Sequence, residues 1–557
     1  MNALRSVIFA TLLLGISIGM LAQAPSSSSK KITIPFDKKN GNSPNSFKGT
    51  SVQESIEKVK SALFLINNKY MEDVEMDKIA EDAIKGMLEK LDPHSVYFSK
   101  DEYKKMNEPL TGNFEGIGVS FNLLRDTIVV TSVIQGGPSE QVGILPGDQI
   151  VAVNGENVAG ISIDNAGVMS RLRGNKGTVV NVGIRRRSES KLVEFRIIRD
   201  KIPVYSVDAV YMAAPEVGYI KLSRFANTTT EEIREAFAKL KAQNAKNLIL
   251  DLRGNGGGYL KTAVELSNEF IDNNKMIVYT EGKGSEREEY KAQASGSFKN
   301  GKLIVLIDEG SASASEIVSG AVQDWDRGLL VGRRTFGKGL VQRPFMLPDS
   351  SWIRLTVAHY YTPSGRCIQK PYNDGRDAYY KDIEKRIKSG ELTDQAQIVL
   401  PDSLSYFTLN KKRVVYGGGG IMPDIFVPLD TVLFTEYYKE LNRKGLINRF
   451  SLEYVNANRT QLNTDFPTID VFEKNFAAND EMLNSFYELA EKEGVKRNDA
   501  DIATSKSLFT NGIKSLIARY LFDSTAYYRI SNPINPIYKK ALEAINDPKY
   551  NQFWKGK

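Results

Sequence analysis

At 557 residues the chain is too long for a single hydrophobic core, and roughly three or four domains are expected. A net charge of +7 over 74 basic and 67 acidic residues is too mild for a nucleic-acid face, and Arg185 to Arg187 reads as a solvated strand end. One cysteine, Cys367, excludes an internal disulfide, and with only His94 and His359 there is neither a Cys/His zinc site nor an H-E-x-x-H motif, so no metal and no cofactor are expected.

The first residues stand apart. Met1 to Arg5 is a short basic start, Val7 to Leu21 is almost continuously apolar, and Ala22-Gln23-Ala24 is a small-x-small site. Residues 1–24 therefore read as an export signal, which places the rest in the periplasm. Pro25 disfavours cleavage after Ala24, so a retained anchor in the inner membrane is the second reading. No cysteine follows for lipid attachment, and no later stretch approaches the about 20 apolar residues of a spanning helix. Residues 25–50, with Ser26 to Ser29 and scattered Asn, Gly and Pro, lack the apolar content to fold and read as a linker.

Residues 51–111 show helical periodicity, with one stripe at Ile56, Val59, Leu63 and Ile66 and another at Ile79, Ile84, Met87 and Leu88. Between helices lies L-D-P-H-S-V-Y-F (Leu91 to Phe98), where Asp92-Pro93 marks a turn and His94 reads as structural. Residues 112–200 change to short strands punctuated by glycine. Gly116-Ile117-Gly118-Val119 opens the segment, Ile128 to Val133 is a β-branched strand, and Gly143-Ile144-Leu145-Pro146-Gly147-Asp148-Gln149-Ile150 leads into Val151 to Gly155. These residues resemble a PDZ domain. Glycines permit a turn whose N–H groups converge on an anion, and a strand edge beside it can accept an extended peptide, so a free C-terminal carboxylate is the expected ligand. Arg173 is the candidate sensor of the bound terminus, a surface arginine being the alternative.

Residues 201–428 turn to an α/β pattern. Tyr219 to Leu222 is a strand, Thr230-Glu231-Glu232 is expected to cap a helix carrying Ile233, Phe237 and Leu240, and Asn247 to Leu252 is a buried strand. That strand ends in D-L-R-G-N-G-G-G (Asp251 to Gly258), followed by a helix with Ala263, Leu266 and Phe270, so glycine amides gather at a helix start. Nucleotide binding is disfavoured: a dinucleotide fingerprint needs glycine at Tyr259, and the G-x-x-x-x-G-K of Gly332 to Lys338 is followed by Gly339 where a P-loop has Ser or Thr.

From Leu303 to Gln342 the chain reads strand, turn, G-S-A-S-A-S-E-I (Gly310 to Ile317), helix, strand, then F-G-K-G-L-V-Q (Phe336 to Gln342). Ala314, Ile317, Val318, Ala321, Val322 and Trp325 fall at helical spacing, which leaves Ser313 in the first turn on another face. Ser313-x-x-Glu316 is also a capping box, and that would explain one serine. A nucleophile at a helix start gains from nearby N–H groups able to stabilise an oxyanion. A serine needs a base; histidine is nearly absent, His359 reading as a buried residue of the apolar strand Trp352 to Tyr360 with no acid partner, and Lys338 can serve if burial lowers its pKa. Residues alone leave a solvated loop lysine as the alternative.

Together with Y-Y-T-P-S-G (Tyr360 to Gly365), G-G-I-M-P-D (Gly419 to Asp424) and the PDZ segment, these motifs resemble the C-terminal processing (tail-specific) protease family over roughly Ser51 to Pro428. The resemblance implies a crotonase-like (ClpP/crotonase-type) α/β core with an inserted β-rich PDZ domain, flanked here by helical N- and C-terminal regions. It implies Ser313 as nucleophile, Lys338 as general base and Gln342 as its partner, with oxyanion donors on the backbone of Ala314 and of Gly257 or Gly258. In a straight strand Lys338 and Gln342 would stand about 13 Å apart, so contact requires a bend, which Gly339 would permit. Two features depart from the family: a charged insertion at about 370–409, expected to alter access to the site, and a helical region over 429–557 with stripes at Leu433, Tyr437 and Leu441, then Phe472, Phe476, Met482 and Phe486. The expected function is a periplasmic serine endopeptidase acting on polypeptides with free C-termini, with a homodimer or an activator protein as further partners. An inactive PDZ peptide-binding scaffold and a hydrophobic-ligand carrier on the same fold are the alternatives.

Overall fold

The computed structural model describes residues 51–186, 189–294, 296–398 and 400–555, so the expected export signal and linker lie outside the described residues. At the centre is a six-stranded sheet in the order Val207–Ala214, Val217–Leu222, Asn247–Asp251, Leu303–Ile307, Leu329–Gly332, Ile425–Phe426. Its first pair is antiparallel and every later pair parallel. Parallel strands are covered on both faces, which is why Leu303–Ile307 is an unbroken apolar run with every residue buried. Alternate residues serve opposite faces. Leu248, Leu250 and Val305 meet the helices Thr229–Ala242, Leu260–Asn268 and Ala314–Asp324 through Phe237, Leu266 and Val318. Ile249, Ile304 and Leu306 meet Ile537, Tyr538, Ile545 and Trp554 from the end of the chain. The last helices are therefore the second cover of the central sheet.

A second, antiparallel sheet is built on Trp352–Tyr361. One edge pairs with Leu340–Met346, and the other with Val96–Phe98 and Met276–Gly282. The short strand after L-D-P-H-S thus delivers that loop to the sheet carrying Gln342. Residues 119–198 form a separate sheet in the order Val119–Leu124, Thr127–Val133, Gln149–Val153, Val179–Arg185, Val193–Ile198, with the helix Asn165–Leu172 packed on it through Val168 and Leu172. Asn113–Gly116 pairs antiparallel with Asp200–Pro203, so this unit leaves the chain and rejoins it at one place. Between Glu436 and Ser531 the helices bury their own core, with Tyr437, Leu441, Phe472, Phe476, Met482 and Phe486 inside. No helix among the described residues is long and apolar enough to cross a membrane.

Three local expectations are corrected. The helix Val52–Lys69 forms as its period requires, yet it buries none of its residues: Leu63 and Ile66 are half-buried while Ile56 is 52% and Val59 45% exposed, because the described residues cover only part of that stripe. The helix carrying Ile233 starts at Thr229, after Thr228, rather than being capped at Thr230. Glu232 is drawn instead to the neighbouring strand, where it accepts from Ser206 N at 2.7 Å and Val207 N at 2.9 Å. His359, expected to be buried on its strand, is half-buried.

Candidate active site

The turn after Leu303–Ile307 is tied to the glycine loop after Asp251 by both chains' polar groups. Asp308 Oδ1 accepts from Gly310 N at 3.0 Å and Gly254 N at 2.8 Å. Ser311 Oγ donates to Leu252 O at 2.8 Å, and Ser315 Oγ donates to Asn255 O, also at 2.8 Å. The alanine–serine alternation therefore has a structural account: its outer serines bond the loop some 60 residues upstream, and Ser313 alone turns toward the pocket. Ser313 sits ahead of the helix Ala314–Asp324 at φ 52°, ψ −105°, a backbone region that non-glycine residues occupy only when their surroundings enforce it.

What enforces it is Glu316. This fully buried carboxylate accepts from Ser313 N (2.7 Å), Lys338 N (2.9 Å), Gly337 N (2.8 Å) and Thr335 Oγ1 (2.5 Å), joining the serine turn to the F-G-K-G segment. Burial pushes its pKa up to about 7 against those four bonds. Tyr360 OH makes a second joint, donating toward Lys338 O at 2.7 Å and Ser313 O at 3.1 Å. From the sequence Glu316 reads only as a capping-box residue and Tyr360 only as the start of Y-Y-T-P-S-G, and neither is assigned there to the site.

Lys338 and Gln342 meet: Lys338 Nζ donates to Gln342 Oε1 at 2.9 Å. The required bend has two parts. Lys338 precedes the strand Leu340–Met346, and the register against Trp352–Tyr361 slips by one residue between Val341 and Gln342. Gln342 Nε2 in turn donates to His94 O at 2.7 Å, which holds its carboxamide oxygen toward the lysine. The Lys338 side chain lies at 3% exposure, and its pKa is lowered well below that of a free lysine, first by burial and then by the charge of Arg354. Among the described residues no hydrogen bond joins Ser313 to Lys338.

Two backbone donors face the same pocket. Ala314 N–H, at the first helical position, lacks an intrahelical acceptor, and Gly258 N–H makes no hydrogen bond among the described residues. Gly257, the other expected donor, already gives its N–H to Asn255 Oδ1 at 2.9 Å. Gly258 is at φ 151°, and a β-carbon there would stand 2.1 Å from Phe225 O, so the backbone approach depends on glycine. Gly258, Ser313, Ala314 and Gln342 line a pocket with Leu260, Ile317, Leu340, Val341 and Tyr360 whose free space is about 20 Å³, room for one water molecule.

Of the candidate peptide-binding residues, Gly116 ends the strand Asn113–Gly116, Ile117 and Gly118 lead into the 119–198 unit, Val119 and Arg173 lie within it, and none of them lines this pocket. Ile117 is in that unit's core, Gly118 takes φ 79°, and Val119–Leu124 is an edge strand paired only with Thr127–Val133. Arg173 is engaged within the chain: Nη1 donates to Glu108 Oε2 at 2.5 Å, and the guanidinium lies 4.5 Å from the Phe114 ring. Glu108 belongs to the helix Lys100–Thr111, whose Asn107 accepts from Tyr259 OH at 3.3 Å and whose Leu110 packs on the Tyr259 ring. One helix thus touches both Arg173 and the residue after Gly258.

Family models match four stretches: peptidase family S41 over 216–375, a PDZ domain over 116–198, the activating protease CtpB N-terminal domain over 15–102, and a family of unknown function over 437–523. A probable CtpA-like serine protease of Staphylococcus aureus is 37% identical over 318 residues, 57% of this chain and 63% of the relative, so the match spans less than two thirds of that protein's length. Among solved structures, the photosystem II D1 C-terminal processing protease shares 27% identity, covering 66% of this chain and 87% of its own, with a TM-score of 0.35. The carboxy-terminal processing protease CtpA of Bacillus subtilis is 36% identical over 348 residues, 62% of this chain and 71% of its own. On that match, and with the motifs gathered as described, the chain belongs to the C-terminal processing proteases of peptidase family S41.

Proposed function

We propose that the chain is a serine endopeptidase whose nucleophile is Ser313, whose general base is Lys338, and whose base is oriented by Gln342. The observation that carries this reading is a buried lysine, held at 2.9 Å by a glutamine, beside a strained serine at a helix start. Burial favours the neutral amine, which can take the Ser313 proton as Oγ attacks a peptide carbonyl. Charge developing on the carbonyl oxygen would be met by Ala314 N–H and Gly258 N–H, which have no other acceptor among the described residues. The ammonium then returns the proton to the leaving amine, and water hydrolyses the acyl-enzyme with Lys338 again as base.

Within the same proposal the core is crotonase-like, the domains divide at about 112, 201 and 429, and the Gly116 to Val119 turn with the open edge of Val119–Leu124 receives a substrate's free C-terminus. Export on the N-terminal apolar run places the enzyme in the periplasm, free or anchored at the inner membrane. A second reading, an inactive peptide-binding scaffold, is favoured by the missing Ser313–Lys338 hydrogen bond and the narrow pocket. Cleavage of a peptide with a free apolar C-terminus by wild type, Ser313→Ala and Lys338→Ala separates the readings. Activity confined to the wild type is expected, and equal cleavage by all three removes the mechanism. Amidating the peptide's C-terminus is expected to weaken cleavage through loss of carboxylate capture.

A further inference from the structure

The insertion reaches the base. Its first helix, Arg376–Tyr380, lies on the L-D-P-H-S loop, where Tyr380 OH donates to Pro93 O and Tyr379 OH meets His94 Nε2, both at 2.8 Å. Burial holds the His94 imidazole well below its usual pKa, so the ring is neutral. Gln369 Nε2 also donates to the Tyr379 oxygen, at 3.4 Å, and in the Nδ1–H tautomer His94 Nε2 accepts the tyrosine proton. The backbone carbonyl of the same histidine accepts from Gln342, and Gln342 accepts from Lys338. Tyr379, His94, Gln342 and Lys338 are at 2%, 7%, 2% and 3% exposure, so no link of this chain is open to competing water.

Two anchors define the peptide unit that Gln342 uses. Asp92 Oδ1 accepts from its N–H side, Ser95 N, at 2.9 Å, and Tyr379 fixes the histidine side chain on its carbonyl side. Asp92 is in the loop itself, whereas Tyr379 is contributed 285 residues later. We infer that Tyr379 is a positioning residue for Lys338, acting through the His94 carbonyl and Gln342, so that the 370–409 insertion is part of how the base is built. The inference rests on the Ser/Lys reading above.

The test is a double-mutant cycle on the full chain, read by peptide cleavage and by the rate at which a small fluorophosphonate labels Ser313. Tyr379→Phe keeps the ring against Phe336 and removes only the hydroxyl. It is expected to lower kcat and the labelling rate together, each about tenfold, the scale of one hydrogen bond, with KM unchanged. In a Gln342→Ala background, where the chain is already cut, the same substitution is expected to change the labelling rate by less than about twofold. An equal loss in both backgrounds, or no loss in the first, overturns the inference. His94→Gln, whose amide can reach Tyr379, is expected to retain activity that His94→Leu loses; equal activity of the pair overturns it too. Retained cleavage by Ser313→Ala would instead sink the Ser/Lys reading and this inference with it.

Discussion

A lysine kept neutral by burial is a liability to the fold, and Lys338→Met measures it. In the unfolded chain the amine titrates near about 10.4, and each unit by which the fold lowers that value destabilises the native state by about 1.4 kcal/mol below the shifted pKa. In the fold, Lys338 is at 3% exposure with Gln342 Oε1 as the partner of its amine. Methionine has a similar length and no charge, so the substitution removes the titration penalty and leaves one amide oxygen without a donor, a loss of about 1 kcal/mol. The net expectation is a gain in stability at pH 7, the removed titration penalty exceeding the about 1 kcal/mol lost with the donor, with cleavage abolished. The sign with pH follows from a depressed folded pKa: the unfolded lysine binds the extra proton between that pKa and about 10.4, so wild-type stability rises with pH there. The variant's advantage must then shrink toward pH 10. Urea unfolding followed by tryptophan fluorescence, with Trp325 packed against the main core and Trp352 on the strand that pairs with Leu340–Met346, gives the two curves. A variant that is less stable than wild type at pH 7, or whose advantage grows with pH, refutes a buried neutral lysine.

Gly258→Ala places a β-carbon 2.1 Å from Phe225 O and moves the N–H proposed for the oxyanion, so kcat should fall about 10²- to 10³-fold in peptide cleavage. Glu316 has a folded pKa near 7, above the unfolded carboxylate value of about 4.3, so its contribution is present at low pH and lost as pH rises through about 7. The difference in urea midpoint between wild type and Glu316→Gln should accordingly change between pH 5 and pH 8, and a constant difference would contradict the raised value. Ending the chain at Asn535 uncovers the face of the central sheet that Ile537, Tyr538, Ile545, Phe553 and Trp554 bury. At about 1.5–3 kcal/mol per large apolar side chain, this loss rivals a domain's whole stability, and an insoluble or dye-binding product is expected on expression.

Strands buried on both faces were legible because continuous apolar runs have few alternatives, and Leu303–Ile307 and Asn247–Asp251 lie where the pattern placed them. The choice of Ser313 among three serines was legible only through resemblance. The chemical reason, that Ser311 and Ser315 bond Leu252 O and Asn255 O, depends on a loop brought in by sheet pairing. The Lys338–Gln342 contact was equally hidden, since a one-residue slip against Trp352–Tyr361 is a property of two strands. Periodicity found the helix Val52–Lys69 but could not say that the described residues bury none of its stripe. The stripes at Tyr437, Leu441, Phe472, Phe476, Met482 and Phe486 pack on one another, whereas no stripe marked Ile537, Tyr538 and Ile545, whose partners Ile249, Ile304 and Leu306 on the outer face of the central sheet are encoded more than two hundred residues earlier.

The site as it stands is assembled but narrow. Its free space is about 20 Å³, and Ser313 is at 6% exposure. Lys338 is held toward Gln342 and makes no hydrogen bond to Ser313. The walls of the pocket are unequal in what holds them. Ser313, Ile317 and Leu340 belong to elements packed in the main core, pinned further by Glu316 and Tyr360. Gly258 and Leu260 flank Tyr259, whose outer contact is the helix Lys100–Thr111, and that helix is held on its far side by the Arg173–Glu108 pair. Because the Arg173 guanidinium is 38% exposed, the ion pair is weak by the standard of surface pairs, worth at most about 1 kcal/mol. The wall bearing Gly258 is nevertheless also held by the backbone bonds of Gly257 and Tyr259 to Phe225, and the Arg173–Glu108 pair lies beside the segment proposed to bind the substrate's terminus.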